Sequence, residues 1–220
     1  MTLQEAMKQR HTVRKYEDTP LPKDIVEKLN ARVAQNNEKY DLNIKLITDD
    51  GKAIPGVFRL LMTKGVKNYF LLEGADRPDI DEQLGYCSTD IMLYAQTLGL
   101  NTWWVGGMYS KSNAQKLANA GNKVIGVVVV GYGKEQGVPH KSKSVAEVSS
   151  YDGAMPDWFK AGVEAALLAP TAMNHQAFSI KGQENQVSMT YANISFAGAD
   201  LGISKYHFEL GAGKENFVWK

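Results

Sequence analysis

The sequence offers almost no sulfur chemistry. It holds a single cysteine, Cys87, so no disulfide can close within the chain and an oxidising compartment is not implied. No apolar run approaches the roughly 20 residues that a membrane-spanning helix needs. An excess of one charge is missing too. Against 25 Lys and Arg stand 24 Asp and Glu, a formal net charge of +1. That gives no general attraction to nucleic acid or to an anionic membrane. The first residues, Met1-Thr2-Leu3-Gln4-Glu5, lack the basic and apolar regions of a secretory signal, so a cytoplasmic location is expected. His140, His175 and His207 have no metal-ligand spacing, and no metal is expected. No Gly-x-Gly-x-x-Gly fingerprint is present, which excludes a dedicated Rossmann domain.

What remains is a globular chain of 220 residues, 44% hydrophobic and 22% charged, long enough for one large domain or two small ones. Thr2 and Glu5 have capping-box spacing ahead of a short helix that ends near Arg10. Pro22 suits the first turn of a second helix, with Ile25, Val26, Leu29 and Val33 on one face. Residues 42–46 and 69–72 read as strands, 49–51 as a turn, and 54–64 are ambiguous. The longest helix should span about Asp79 to Leu98 and stop at Gly99. Its periodicity puts Cys87 on the buried face, as core rather than nucleophile. Trp103-Trp104-Val105 reads as a strand, with one of the tryptophans in the core, and a short helix covers about 112–118. The apolar run 124–130 should be a strand buried on both faces. A polar segment, 140–144, precedes a helix over about 157–169, and strands are expected at 178–180 and 187–191.

A faint repeat relates Ile91–Leu100 to Ile194–Ile203 at a constant offset, with Gly99 aligned on Gly202. Any two amphipathic helices with a glycine stop agree this well, so coincidence and true repetition stay open. True repetition would divide the chain into a longer half, 1–150, and a shorter half, 151–220, packed about a pseudo-two-fold axis with a cleft between them.

Four stretches carry the functional signal. Arg10-His11-Thr12-Val13-Arg14 places two guanidinium forks around a hydroxyl, a grip suited to phosphate oxygens. The others are Leu98–Gly107, Gly131-Tyr132-Gly133 followed by Lys141-Ser142-Lys143, and Ala169-Pro170-Thr171-Ala172-Met173-Asn174-His175-Gln176-Ala177-Phe178. Together they resemble the nitroreductase-like FMN oxidoreductases. The resemblance implies an α+β fold: a central, mostly antiparallel sheet flanked by helices, in two unequal halves related by a pseudo-two-fold. Order is the departure. In ordinary members the Pro-Ser-x-x-Asn-x-Gln-Pro-Trp stretch follows soon after the arginines and two chains trade motifs. Here the early position carries Ala34-Gln35-Asn36-Asn37-Glu38-Lys39, and the matching stretch comes at 170–178, with Ala177-Phe178 in place of Pro-Trp. The chain therefore resembles a tandem version of the family, a monomer imitating the dimer or a weak homodimer, with one flavin per chain.

By this resemblance Arg10, Thr12, Lys141 and Lys143 hold the FMN phosphate and nearby ribityl oxygens. Arg14 lies near the pyrimidine edge, and His11 donates in the same region. Trp104, Val105, Gly106 and Gly107 pass along one face of the ring. Pro170, Thr171, Ala172 and Asn174 close on the ring and ribityl chain, and Gln176 on the ring edge. The activity implied is transfer of hydride from NADH or NADPH through flavin N5 to a small-molecule acceptor such as a nitroaromatic or quinone, with no obligatory acid or base among the side chains. A non-enzymatic flavin carrier or sensor is the alternative.

Overall fold

The computed structural model describes residues 1–61 and 63–220. Thr2 caps α1 (Leu3–Gln9) as its spacing predicts: its hydroxyl accepts from the Glu5 amide, and the Glu5 carboxylate accepts from the Thr2 amide at 2.8 Å. α1 buries Ala6 and Met7 and stops at Arg10. Pro22 caps α2 (Lys23–Tyr40), whose Leu29 and Val33 are buried. Then follow β1 (Lys45–Ile47), α3 (Gly56–Leu61) in the stretch that the sequence leaves ambiguous, β2 (Asn68–Ala75), α4 (Ile80–Thr97), β3 (Asn101–Val105), α5 (Lys111–Leu117) and β4 (Asn122–Gly131). Gly99, at φ +80, turns the chain off α4 in the left-handed conformation that glycine adopts freely. Cys87 is fully buried in the α4 core.

The first sheet runs β1-β2-β4-β3, antiparallel throughout. β4 serves two cores at once. Val128 and Val130 join Leu29, Phe70, Leu84 and Ile91 on one side. Val127 and Val129 join Tyr16, Tyr69 and Trp103 on the other. Alternation along a strand with a core on each face is what an unbroken apolar run encodes.

A second sheet follows: α6 (Val145–Val148), β5 (Ser149–Asp152), α7 (Asp157–Ala166), β6 (Phe178–Gln183), β7 (Gln186–Tyr191), α8 (Ala197–Ala212) and β8 (Val218–Trp219). Its order is β5-β6-β7-β8, antiparallel only between β6 and β7. The expected division at 150 falls inside β5, and Val145 and Val148 already pack in the core of this second sheet with Phe159, Ile180 and Phe208.

α4 and α8 cross where two glycines meet backbone. A Cβ on Gly85 would strike the carbonyl of Ala199, three residues before Gly202. One on Gly202 would strike the carbonyl of Glu82, three residues before Gly85. The two contacts are reciprocal. The glycines aligned in the repeat read from sequence are not equivalent, because Gly99 follows a helix whereas Gly202 lies inside one. Among the described residues no helix is long and apolar enough to cross a membrane.

Candidate active site

The segment after α1 is laid along the first sheet. Thr12 bridges Thr102 of β3, and the Val13 amide donates to the Thr102 carbonyl at 3.2 Å. Tyr16 bridges Gly133, its amide donates to Lys64 O at 2.8 Å, and its buried hydroxyl donates back to Val13 O at 2.7 Å. Residues 10–14 are thus held by backbone bonds, leaving their polar side chains to other work. Asn101 of β3, which the sequence does not single out, fixes the neighbouring loop. Its side-chain Oδ1 accepts from the Gly133 amide at 3.0 Å and its side-chain Nδ2 donates to Gln136 Oε1 at 3.0 Å. Gly137 then passes so close to His11 and Thr12 that a Cβ would clash there.

These loops and the 170–174 stretch of the second half enclose a cavity of about 530 Å³, within the range of small-ligand sites. Of the residues expected to bind the cofactor, Arg10, His11, Thr12, Arg14, Pro170, Thr171 and Asn174 line it together. Glu135, Gly137, Val138, Pro139, His140 and Met173 complete the wall. Of these, Met173 falls inside the 169–178 stretch and His140 opens the polar segment 140–144, whereas residues 135–139 carry no signal in the sequence.

Arg10 is the unusual group. It is only 4% exposed, its Nε has no hydrogen-bond partner, and no carboxylate pairs with it among the described residues. Burial pushes its pKa down to about 10, so the guanidinium is cationic at neutral pH but poorly solvated. His11 is pushed toward the neutral form by burial, then by Arg10 and His140. Behind them on α8, His207 is fully buried; its Nδ1 lies 2.9 Å from Ile203 O and its Nε2 is unpartnered. Burial first, and then the charges of Arg10 and His140, drive it down to about 3, so it is neutral. Arg14 is exposed, its guanidinium carbon 5.4 Å from the Trp103 ring centroid. Arg10 therefore stands at the cavity wall as a buried cation with no carboxylate partner among the described residues.

The second-half loop is tied from both sides. The Ala172 amide donates to both carboxylate oxygens of Asp200, at 3.1 and 3.0 Å, and Tyr191 donates to Asp200 at 2.9 Å. Desolvation raises the Asp200 carboxyl to about 6, against these lowering hydrogen bonds. Gln176, expected at a ring edge, is instead a buried clamp. Its Oε1 accepts from the Lys143 amide at 2.8 Å and its Nε2 donates to Lys141 O at 3.0 Å and to Asn174 Oδ1 at 2.8 Å. Lys143 Nζ donates to the Gln176 carbonyl at 3.0 Å. Neither lysine lines the cavity. Met173, Asn174 and Gln176 all adopt positive φ. For a residue such as Met173 that costs roughly 1–2 kcal/mol, tolerated here because the ties on either side leave the loop no alternative.

The Trp104–Gly107 stretch also lies outside the cavity lining, as does Ala172. Trp104 donates to Ser88 Oγ at 3.2 Å and meets Phe196 edge-on at 6.2 Å. A Cβ on Gly106 would strike Trp104 and Phe196, so the glycine is explained by ring packing. Val105 is core, as is Trp103.

A family profile described as "Putative TM nitroreductase" matches residues 2–212. The chain belongs to this family. With that it is an oxidoreductase of the nitroreductase kind acting on small molecules. Among solved structures it is similar to a Thermotoga maritima protein described as a "putative nitroreductase", at 20% identity and TM-score 0.73, over 98% of this chain and 85% of that one. A Parabacteroides distasonis protein described as "Putative NADH dehydrogenase/NAD(P)H nitroreductase" aligns at 20% identity and TM-score 0.52, over 66% of this chain and 95% of its own. A Streptococcus mutans nitroreductase-like protein aligns at 16% identity and TM-score 0.53, over 65% and 94%. At these identities the likeness establishes the fold. No curated protein matches the sequence.

Proposed function

We propose that the protein is an FMN-dependent oxidoreductase that takes electrons from NADH or NADPH and delivers them to a small acceptor, a quinone or nitroaromatic, in the cytoplasm. The observation that carries this is Arg10: a buried, unpaired guanidinium with an orphaned Nε at the wall of a cavity of about 530 Å³. A phosphate dianion supplies the partner that this group lacks. Arg14, His11 and Thr12 add donors on the same wall, and Pro170, Thr171 and Asn174 close the cavity from the second half. FMN, when bound, supplies the two-electron chemistry that no side chain here possesses. The chain's own task is to bind, orient and shield. For a quinone the overall change is NAD(P)H plus a proton plus quinone giving NAD(P)⁺ and hydroquinone. Phosphate binding falls chiefly to Arg10, with Arg14 toward the pyrimidine edge, since Lys141 and Lys143 do not line the cavity and the Lys143 ammonium donates to the Gln176 carbonyl.

The site draws on both halves of the chain, which supports the tandem reading with one flavin per chain. Two further observations favour it. Two-thirds of this chain aligns with nearly all of a shorter relative, and the α4–α8 crossing is reciprocal. The test is the visible spectrum of the purified protein beside an Arg10→Ala, Arg14→Ala double variant. Flavin bands that bleach with NADH or NADPH, near one FMN per chain, and that the folded variant loses, are expected. Undiminished flavin in the variant would sink the site, and two flavins per chain would sink the tandem reading.

A further inference from the structure

Three of the chain's four histidines gather around Arg10. His11 and His140 line the cavity with it, and His207 lies behind on α8. The other charged groups of the lining are Arg14 and one carboxylate, Glu135, which is exposed; Lys141, next to His140, is exposed as well. Beyond burial, the charges of Arg10 and His140 bear on both His11 and His207. These groups are therefore within electrostatic reach of one another, and all are cations or potential cations. Such crowding disfavours each further positive charge until an anion arrives. His207 is fully buried and has its Nδ1 at Ile203 O, so it stays neutral. The His140 ring, by contrast, has a partner in either state. Its Nδ1 lies 3.3 Å from Gln176 Nε2, which can donate to the bare nitrogen, and 3.3 Å from Lys141 O, which can accept from the protonated one. Gln176 Nε2 keeps its bonds to Lys141 O and Asn174 Oδ1 in both cases.

We infer that His11 and His140 take up a proton as the phosphate of the flavin arrives, so that the cavity selects phosphorylated over unphosphorylated flavin more strongly as the pH falls. This rests on the FMN reading above. A phosphate dianion at Arg10 reverses the local field: imidazolium becomes the favoured form beside it, and each proton gained adds a charge-assisted donor. Histidine suits the role, since it is the one side chain whose charge ordinarily changes between about pH 5 and 8. By linkage, a site that holds protons more tightly when occupied holds its ligand more tightly when protons are plentiful. The gain is full at the acid end of that range and is lost as the pH rises through it. Riboflavin has the same ring and ribityl chain but brings no dianion, and so draws no proton.

The test is a titration of the flavin-free protein with FMN and with riboflavin, followed by flavin fluorescence from about pH 6.5 to about pH 8.5, where the phosphate is itself mostly dianionic. The Kd for FMN should rise about tenfold across this range while that for riboflavin stays level. Calorimetry at neutral pH, in two phosphate-free buffers of different ionisation enthalpy, should show a proton taken up with FMN and none with riboflavin. A His11→Gln, His140→Gln double variant keeps hydrogen-bonding side chains but cannot titrate. It should bind FMN as weakly at every pH as the wild type does at the alkaline end, with no proton uptake. A level Kd for FMN in the wild type, or riboflavin following the same slope, would overturn the inference, and so would a double variant that keeps the wild-type slope. The wild-type measurements decide the matter should the variant not fold. A wild type that binds FMN at no pH would overturn the parent reading, and this one with it.

Discussion

Two arginines in this molecule meet the same physical problem and end in opposite states. Arg32, on α2, donates to Asp90 of α4 through Nε at 2.7 Å and Nη2 at 2.5 Å. Asn36 and Tyr206 donate to the same carboxylate, at 2.7 and 2.6 Å. The network knits α2, α4 and α8 together, and it is closed: each group has what it needs. Arg10 is more deeply buried and has no such partner among the described residues. The helices themselves show the difference. Five residues beyond Gly85, α4 carries Asp90; five beyond Gly202, α8 carries His207, a neutral group that neutralises nothing. A guanidinium closed by a carboxylate is part of the scaffold. The open one lines a cavity, and the proposed function gives it a phosphate.

The comparison can be broken at either arginine. Asp90→Ala should have the largest effect, a loss of about 3 kcal/mol in urea denaturation, because it leaves Arg32, Asn36 and Tyr206 without their shared acceptor. A loss below about 1 kcal/mol would mean that the network is worth no more than a surface pair. Arg10→Met should be nearly neutral for the flavin-free protein, or slightly stabilising, since it replaces an uncompensated buried charge with an apolar side chain of similar length. A loss as large as that of Asp90→Ala would show that Arg10 is structural after all. The spectral and binding tests above then read the function that the stability measurements leave untouched.

A pH-dependent effect sharpens the comparison at the second-half loop. Asp200 has a folded-state pKa raised to about 6, above the ordinary aspartate value near 4. The folded protein therefore holds this proton more tightly than the unfolded chain. Its contribution to stability is full below about pH 4 and is lost as pH rises to about 6. Asp200→Asn removes that term. The wild-type advantage over the variant in melting temperature should shrink from pH 4 to 6 and stay level above. His207, lowered to about 3, works in the opposite direction over this window but in both proteins alike. Parallel curves for wild type and variant would refute the burial of an ionisable Asp200.

Much of the scaffold was legible in the residues. The Thr2–Glu5 cap, the glycine stop at Gly99, the inward face of α4 and the doubly buried run of β4 all depend on spacing along a few turns or one strand, and each stands where the pattern places it. The second sheet was only half legible. Its β6 and β7 alternate clearly, whereas β5 and β8 are short edge strands defined by the neighbours they join. At the site, the arginine stretch and the proline-threonine stretch line one cavity, and the lysines and the glycine stretch do not.

The reason for the division is what kind of information each feature needs. Helix caps, periodic faces and family motifs are local, so the order of residues alone determined them and, through the motifs, the family. Partnership is a competition among groups far apart in the chain. Only the folded structure decided that the Gln176 carbonyl would accept from the Lys143 ammonium, that Phe196 would pack on Trp104, that Asp90 would neutralise Arg32 and that no described residue would neutralise Arg10. A charge loses its freedom only when a distant partner arrives, and tertiary packing decides which partners arrive.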